Sequence, residues 1–245
     1  MLTEQDLKTI QSLSKNNPDF SKIMDKIKEE QRFCLSKISH EVRNPVTLIN
    51  SSLQLIEQQH PEVKTFAFWK ETMEDLSFLR TLLDELSSFN NGDILHPESK
   101  DLSEWIPHFI TTTKSSPAFS NICLEMAEDL PTVTWDFTKV RQVLYNLIRN
   151  GWEASPKNSL LLFKVSFEKP YIQISIKDHG CGIPDSIHTT LFEPFQTTKS
   201  NGTGLGLAIC KRIVESHHGT ISVFSQPKKG TTVTIRVPSN PFDIS

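Results

Sequence analysis

The chain has 245 residues, 37% of them hydrophobic and 22% charged, with a net charge of −3. That length allows one large domain or two modest ones with packed cores, and that charge gives no reason to expect a nucleic-acid partner. The four cysteines, Cys34, Cys123, Cys181 and Cys210, form no C-x-x-C pair, so neither a zinc ribbon nor a disulfide framework is implied, and a reducing cytoplasm is the simplest home. No apolar run approaches the roughly 20 residues that span a bilayer, and the opening MLTEQDLKTI has no signal-peptide core.

Residues 1–20 read as a short N-terminal segment. From 21 to 92 the pattern is helical. Leu35, Ile38, Val42, Val46, Ile49, Leu53 and Ile56 recur every three or four positions and make one apolar stripe. After His60-Pro61 a second stripe runs through Trp69, Met73, Leu76, Leu79, Leu83 and Leu86. Two long helices and a short loop predict an antiparallel hairpin. Each stripe is more than one partner helix covers, so two hairpins in a four-helix homodimer would bury both. The alternative is a hairpin packed on its own second domain.

Residues 93–100 follow as a linker rich in turn formers. From 101 to 240 strand patterns fall at Ile122–Met126, Thr132–Trp135, Leu160–Phe167, Tyr171–Lys177, Thr220–Ser225 and Thr231–Val237. Hairpin turns are predicted at 168–170 and 226–230. Helices are predicted at Leu102–Thr113, Thr138–Glu153 and Leu205–His217. The fold class is therefore an all-α helical hairpin followed by an α+β sandwich.

Three stretches of the second half carry chemistry. In VRQVLYNLIRNGWEAS, Asn146 and Asn150 share a helix edge, and an amide oxygen is a neutral, hard ligand suited to Mg²⁺. Two solvated asparagines would leave the same trace. In YIQISIKDHGCGIP, Asp178 continues the face of Ile172, Ile174 and Ile176, and a carboxylate aimed into that layer needs a donor, for which the exocyclic amine of adenine is suited. Gly180 and Gly182 then let the backbone pass close to a flat base, although a turn capped by Asp178 reads similarly. In NGTGLGLAICKRIVESHHG, Gly202, Thr203, Gly204, Leu205 and Gly206 lead into a helix whose free amides attract phosphate. The polar stretch LFEPFQTTKSN before it has the character of a lid, from which Lys199 can reach a terminal phosphate.

The order of these motifs resembles the sensor histidine kinases. SHEVRNP at 39–45 is similar to the phosphoacceptor box, NLIRN to the asparagine box and DHGCGIP to the first glycine box. LFEPFQTTK is similar to the phenylalanine box, GTGLGL to the second glycine box, and KGTTVTIRVP to the closing strand of the same ATP-binding fold. The departures are Gly151-Trp152, where a small alanine is more usual, and His179 in a variable slot, neither of which touches a position that carries chemistry in the family.

The resemblance implies an ATP-binding domain of the histidine kinase and chaperone type over 101–240, with ATP and Mg²⁺ as cofactors. Asn146, Asn150, Asp178, Gly180, Gly182, Lys199, Gly202, Thr203, Gly204, Leu205, Gly206 and Thr232 bind nucleotide, and Asn150 holds the metal. His40 is the phosphoacceptor, Glu41 the base, and Asn44 positions a water that hydrolyses a phospho-aspartate on a partner. The residues agree with this. His40 is two positions from both Ile38 and Val42, so it points away from their stripe. An adjacent Glu41 that accepts from one ring nitrogen makes the other a better nucleophile. Asn44 and Thr47 continue the same side, and Pro45 bends the helix after the site. The remaining histidines read as structural or solvent-exposed.

The implied activity is autophosphorylation of His40 and transfer to an aspartate of a response regulator, with phosphatase activity toward it, in a cytoplasmic homodimer. About twenty residues precede the first long helix, fewer than the sensory domain that usually drives such an enzyme needs, which leaves two readings: a separate sensory protein, or an upstream sensory region outside this chain. Two rivals are a phosphotransfer scaffold that has lost ATP chemistry, and an ATPase of the mismatch-repair or heat-shock chaperone kind. Asn150, Asp178, Gly180, Gly182 and Gly204 argue against the first. The helical hairpin with its His-Glu pair argues against the second, as does Asn146, where those ATPases typically carry a catalytic Glu.

Overall fold

In a computed structural model, which describes residues 9, 13, 17–116, 119–184, 187–199 and 202–242 (18, 21, 25, 28, 31 and 32 by backbone alone), the chain falls into two units, Met1–Asn91 and Gly92–Ser245. Most of segment 1–20 and the end of LFEPFQTTKSN lie outside the described residues.

The first unit is built on α1 (Pro18–Gln59) and α2 (Trp69–Asn90), which pack on each other. Asn17 caps α1 by accepting from the N–H groups of Asp19 and Phe20, both at 3.1 Å. A 3₁₀ turn, Pro61–Thr65, closes the hairpin, with Val63 buried inside it. On α2 the residues that pack inward include the predicted stripe, with Leu83 only 6% exposed. On α1 the face turned to α2 is not quite the predicted one. Ser39 and Val46 are buried there, and Arg43, Asn50, Leu53 and Glu57 are half-buried. Arg43 fixes that face by donating to the Leu83 carbonyl (3.2 Å) and the Ser87 hydroxyl (3.1 Å) and pairing with Asp84 at 3.0 Å. At the other end Trp69 Nε1 donates to Glu57 at 3.3 Å. Most of the apolar stripe lies beside this face and stays open to solvent, with Ile38 52% and Ile49 50% exposed.

The second unit begins earlier than the predicted boundary. Residues 93–96 are tied into it, with Asp93 paired to Arg212 (3.3 Å) and the His96 N–H donating to Asp136 at 2.8 Å. Then β1 (Glu98–Asp101) pairs antiparallel with β3 (Thr132–Trp135), so the supposed linker ends as a strand. The main sheet has the order β2-β4-β5-β7-β6, from β2 (Ile122–Met126), β4 (Leu161–Glu168), β5 (Tyr171–Lys177), β6 (Thr220–Gln226) and β7 (Gly230–Pro238). Among the described residues only β2–β4 is parallel. Alternation puts Phe163, Val165, Ile172, Ile174, Ile176 and Ile235, each at most 3% exposed, into the core. Three helices pack on the sheet: α3 (Leu102–Lys114) by β2, α4 (Phe137–Ala154) over β4, β5 and β7, and α5 (Gly206–Ser216) over β6 and β7.

Asp136 and His217 join the start of α4 to the end of α5. Asp136 caps α4 by accepting from the Lys139 N–H at 3.0 Å. His217, 1% exposed, donates from Nδ1 to the Ile213 carbonyl (2.8 Å) and accepts at Nε2 from the Asp136 N–H (3.0 Å). Burial lowers its pKa, in keeping with a neutral structural histidine.

Candidate functional site

Asp178 lies one residue past β5, on the same face as its buried isoleucines, and is 5% exposed. One carboxylate oxygen, Oδ1, accepts from the N–H groups of Gly180 (2.8 Å) and Thr231 (3.1 Å). Oδ2 takes no donor among the described residues. Burial raises the Asp178 carboxyl pKa, and the two backbone donors pull against that shift. A raised folded value means its stabilising contribution is full below the ordinary aspartate pKa and is lost as pH rises through the folded value. A carboxylate kept at a net cost to the fold, with one oxygen unspoken for, is a candidate ligand group.

Gly151 on α4 lies directly over this carboxylate, where an added Cβ would be 3.3 Å from Asp178 Cβ and 3.1 Å from Leu161 Cδ2. The glycine that departs from the usual alanine is therefore at the site, not away from it. The loop glycines are required by the packing of the protein itself. A Cβ on Gly180 would fall 2.4 Å from the Ala154 carbonyl oxygen, and one on Gly182 (φ +73) 2.2 Å from that of Gln226. They let DHGCGIP press onto the end of α4 and the β6–β7 turn, so their close neighbours are protein backbone.

The segment 187–199 makes successive tight turns instead of the unstructured lid expected. Phe195 has the left-handed φ of 66, and its N–H donates to the Gly204 carbonyl at 3.0 Å. Gly204 (φ +69) is pressed against that same backbone. Gly202 turns tightly against Thr197, Leu205 is fully buried, and Thr203 Oγ1 accepts from the Leu205 N–H at 3.3 Å. Gly206 has open space, since a Cβ there would meet only Arg149 Nη2, at 3.9 Å. Of the three glycines this one, first in α5, leaves room for an approaching phosphate.

Asn146 and Asn150 do not share one environment. Asn146 is buried and borders a cavity of about 400 Å³ whose walls include Phe109, Thr113, Phe119 and Arg141. Asn150 Oδ1 accepts from the Lys199 ammonium at 3.1 Å, and the same ammonium is ion-paired with Glu153. The Asn150 oxygen thus already faces a cation. One neutral oxygen fits Mg²⁺, which takes most of its shell from phosphates and water. Among the described residues no group of three or more His, Cys, Asp or Glu could hold a metal. Thr232 is paired in mid-strand with Lys177 and Phe224. Its neighbour Thr231 is the one at the site, through its N–H to Asp178 and a 2.8 Å hydrogen bond between its hydroxyl and that of Ser225. Sequence reading missed Thr231, because a backbone donor leaves no residue-type signal.

In the first unit His40 is exposed, about 200° round α1 from both Ile38 and Val42. Glu41 does not engage it. Its carboxylate lies 3.9 Å from Lys37, one turn back, because helix neighbours at i,i+4 meet and those at i,i+1 do not. Asn44 is exposed on the strip of His40, while the Thr47 hydroxyl is occupied by the Arg43 carbonyl at 2.8 Å. The helix continues through Pro45.

Residues 135–241 match the family of histidine kinase-, DNA gyrase B-, and HSP90-like ATPases. The chain is 30% identical over 204 residues to sporulation kinase C of Bacillus subtilis, covering 82% of this chain and 47% of that protein. It is 32% identical over 210 residues to sporulation kinase B of the same organism, covering 84% and 49%. Over the matched residues the chain is related to the sensor histidine kinases. It thus spans about half the length of those curated relatives. Among solved structures, histidine kinase ThkA in complex with response regulator protein TrrA superimposes with a TM-score of 0.65 at 26% identity, covering 91% of this chain and 67% of that one.

For a histidine kinase the Asp178 geometry makes a specific expectation. In Asp178→Asn an amide oxygen still satisfies Gly180 and Thr231, but an NH₂ replaces Oδ2 and, if Asp178 reads the base, would meet the adenine amine donor to donor. ATP affinity falls by about 1–3 kcal/mol while the fold persists, and wild-type GTP binding, measured by calorimetry, is weak because guanine presents a carbonyl there. Equal ATP and GTP affinities for the wild type would remove Asp178 from base recognition.

Proposed function

We propose that this histidine kinase binds ATP–Mg²⁺ in residues 92–245, phosphorylates His40, and passes the phosphoryl group to an aspartate of a receiver domain. The observation that carries the reading is an exposed His40 with no side-chain partner among the described residues, in one chain with the Asp178 site. The two are the acceptor and the nucleotide cradle that one phosphoryl transfer needs.

A lone pair of the His40 imidazole attacks the γ-phosphorus, the bond from that phosphorus to the β,γ-bridging oxygen breaks, and ADP leaves. Asp178 orients the base, the N-terminus of α5 at Gly206 receives phosphate oxygens, and Asn150 holds the metal, which supplies neutralisation of the phosphates. Glu41 reaches His40 only after leaving Lys37. Because that pair is about two-thirds exposed, releasing it is inexpensive.

The open stripe of Leu35, Ile38, Val42, Ile49 and Ile56 supports a homodimer with four helices in a bundle, and leaves His40 on the far side of α1. Among the described residues no helix is long and apolar enough to cross a membrane. We propose a cytoplasmic location.

The likeness to a kinase solved with its response regulator supports a receiver domain docking over His40 and Asn44. An amide at Asn44 orients a water without acting as a strong base. Asn44→Ala therefore retains autophosphorylation and slows dephosphorylation of a phosphorylated receiver about tenfold or more. Parallel loss of both activities would make Asn44 a structural residue, and no change in either would make the protein a dedicated kinase.

A further inference from the structure

Between Asn150 and α5 lies a charge arrangement that the proposed chemistry does not use. Glu153, one turn after Asn150 on α4, holds two cations at once. Its Oε2 accepts from the Lys199 ammonium, and its Oε1 lies 3.9 Å from Arg149 Nε. Lys199 also donates to Asn150 Oδ1 at 3.1 Å. The Nη2 of Arg149 is the nearest side-chain atom to the open position over Gly206, the first residue of α5. Two cations, a metal-suited amide oxygen and a helix N-terminus therefore converge on one edge of the site, and the anion gathering the cations is a carboxylate of the protein itself.

We propose that Glu153 is a built-in stand-in for nucleotide phosphate, which must surrender Lys199 and Arg149 before a triphosphate can bind. The inference rests on the reading of this site as an ATP site. A carboxylate and a triphosphate cannot share the same two cations without like-charge repulsion at close range. Glu153 thus competes with the ligand and lowers its apparent affinity. It also acts at the end of the cycle. ADP has one phosphoryl group fewer to hold the cations, so Glu153 regains them more readily and the product leaves faster. Arg149 becomes a triphosphate ligand that motif reading passed over, since it lies between the two asparagines of NLIRN. The pair is only part-buried, with side chains 43% and 35% exposed for Lys199 and Glu153, so the competition is modest and reversible.

The test is calorimetric titration of the full chain with ATP–Mg²⁺, ADP–Mg²⁺ and adenosine, for the wild type, Glu153→Gln, Lys199→Met and the double variant. Glu153→Gln keeps the side-chain shape and removes the charge. ATP should bind about two- to fivefold more tightly, ADP with a smaller gain, and adenosine unchanged. In the Lys199→Met background the gain should shrink, because one of the captive cations is gone. A loss of ATP affinity in Glu153→Gln overturns the proposal and makes Glu153 a ligand of the bound metal. An equal gain for adenosine, or a gain that persists in full without Lys199, reduces it to a general effect on fold or charge and overturns it as well. A wild type that binds none of the three overturns the ATP site itself, an outcome distinct from a binding wild type whose Glu153→Gln variant is unaltered.

Discussion

His40→Gln abolishes the phosphohistidine label while ATP affinity stays at the wild-type value. Glutamine keeps a polar side chain of similar reach on an exposed helix position but has no nucleophilic nitrogen. Substitution at such a surface position changes stability by about 0.5 kcal/mol or less, so the hairpin persists. The residues proposed to hold the nucleotide, Asn150, Asp178 and Gly206, lie on α4, just after β5 and on α5, none of which contains His40. Binding and transfer thus separate cleanly in this variant. The check is calorimetry for ATP together with a filter assay for label that withstands alkali and is lost in acid. Such label persisting in His40→Gln would place the acceptor elsewhere.

Asn150→Asp has the second largest effect. The carboxylate adds negative charge beside the triphosphate, and it pairs with Lys199, which Glu153 already holds. The cation needed at the phosphates is then trapped between two acids, and the metal site changes from a neutral to a charged oxygen. Phosphoryl transfer falls by about a hundred- to a thousandfold, the range for removing one preorganised electrostatic contact. Nucleotide affinity changes less, because the proposed contact to the base is at Asp178, away from this substitution. Single-turnover transfer with saturating ATP–Mg²⁺ measures this. Wild-type rates in Asn150→Asp would take the metal away from Asn150.

The parts legible in the sequence are those with a periodic signature. The alternation of Ile172, Ile174 and Ile176 gave the strand and aimed Asp178 inward, and the spacing on α2 gave its packing face. On α1 periodicity found an apolar stripe but not the face that meets α2, because that face carries Ser39, Arg43, Asn50 and Glu57 among its apolar residues. A polar residue that packs by bonding to the opposite helix, as Arg43 does to Leu83 and Ser87, has no hydropathy signal. Strand β1 was hidden for a related reason. Its residues ESKD are all polar, and they form a strand only because β3 offers them a ladder.

At the site, motif spacing found Asp178 and Asn150 but not what touches them. Glu153 and Lys199 are far apart in the chain, and their pairing depends on how the segment after β5 folds back over α4. The glycines of DHGCGIP were legible as glycines, yet their reason lies in the Ala154 and Gln226 carbonyls that press on them. Glu41 shows the limit of adjacency. Next to His40 in sequence, it turns about 100° away on the helix and finds Lys37.

The central claim is tested most directly by incubating the wild-type chain with γ-labelled ATP and Mg²⁺ and following the label through acid, alkali and peptide mapping. The account predicts label that is stable in alkali, lost in acid, and confined to the peptide that contains His40. Label stable in acid, or carried on a peptide without His40, would contradict it.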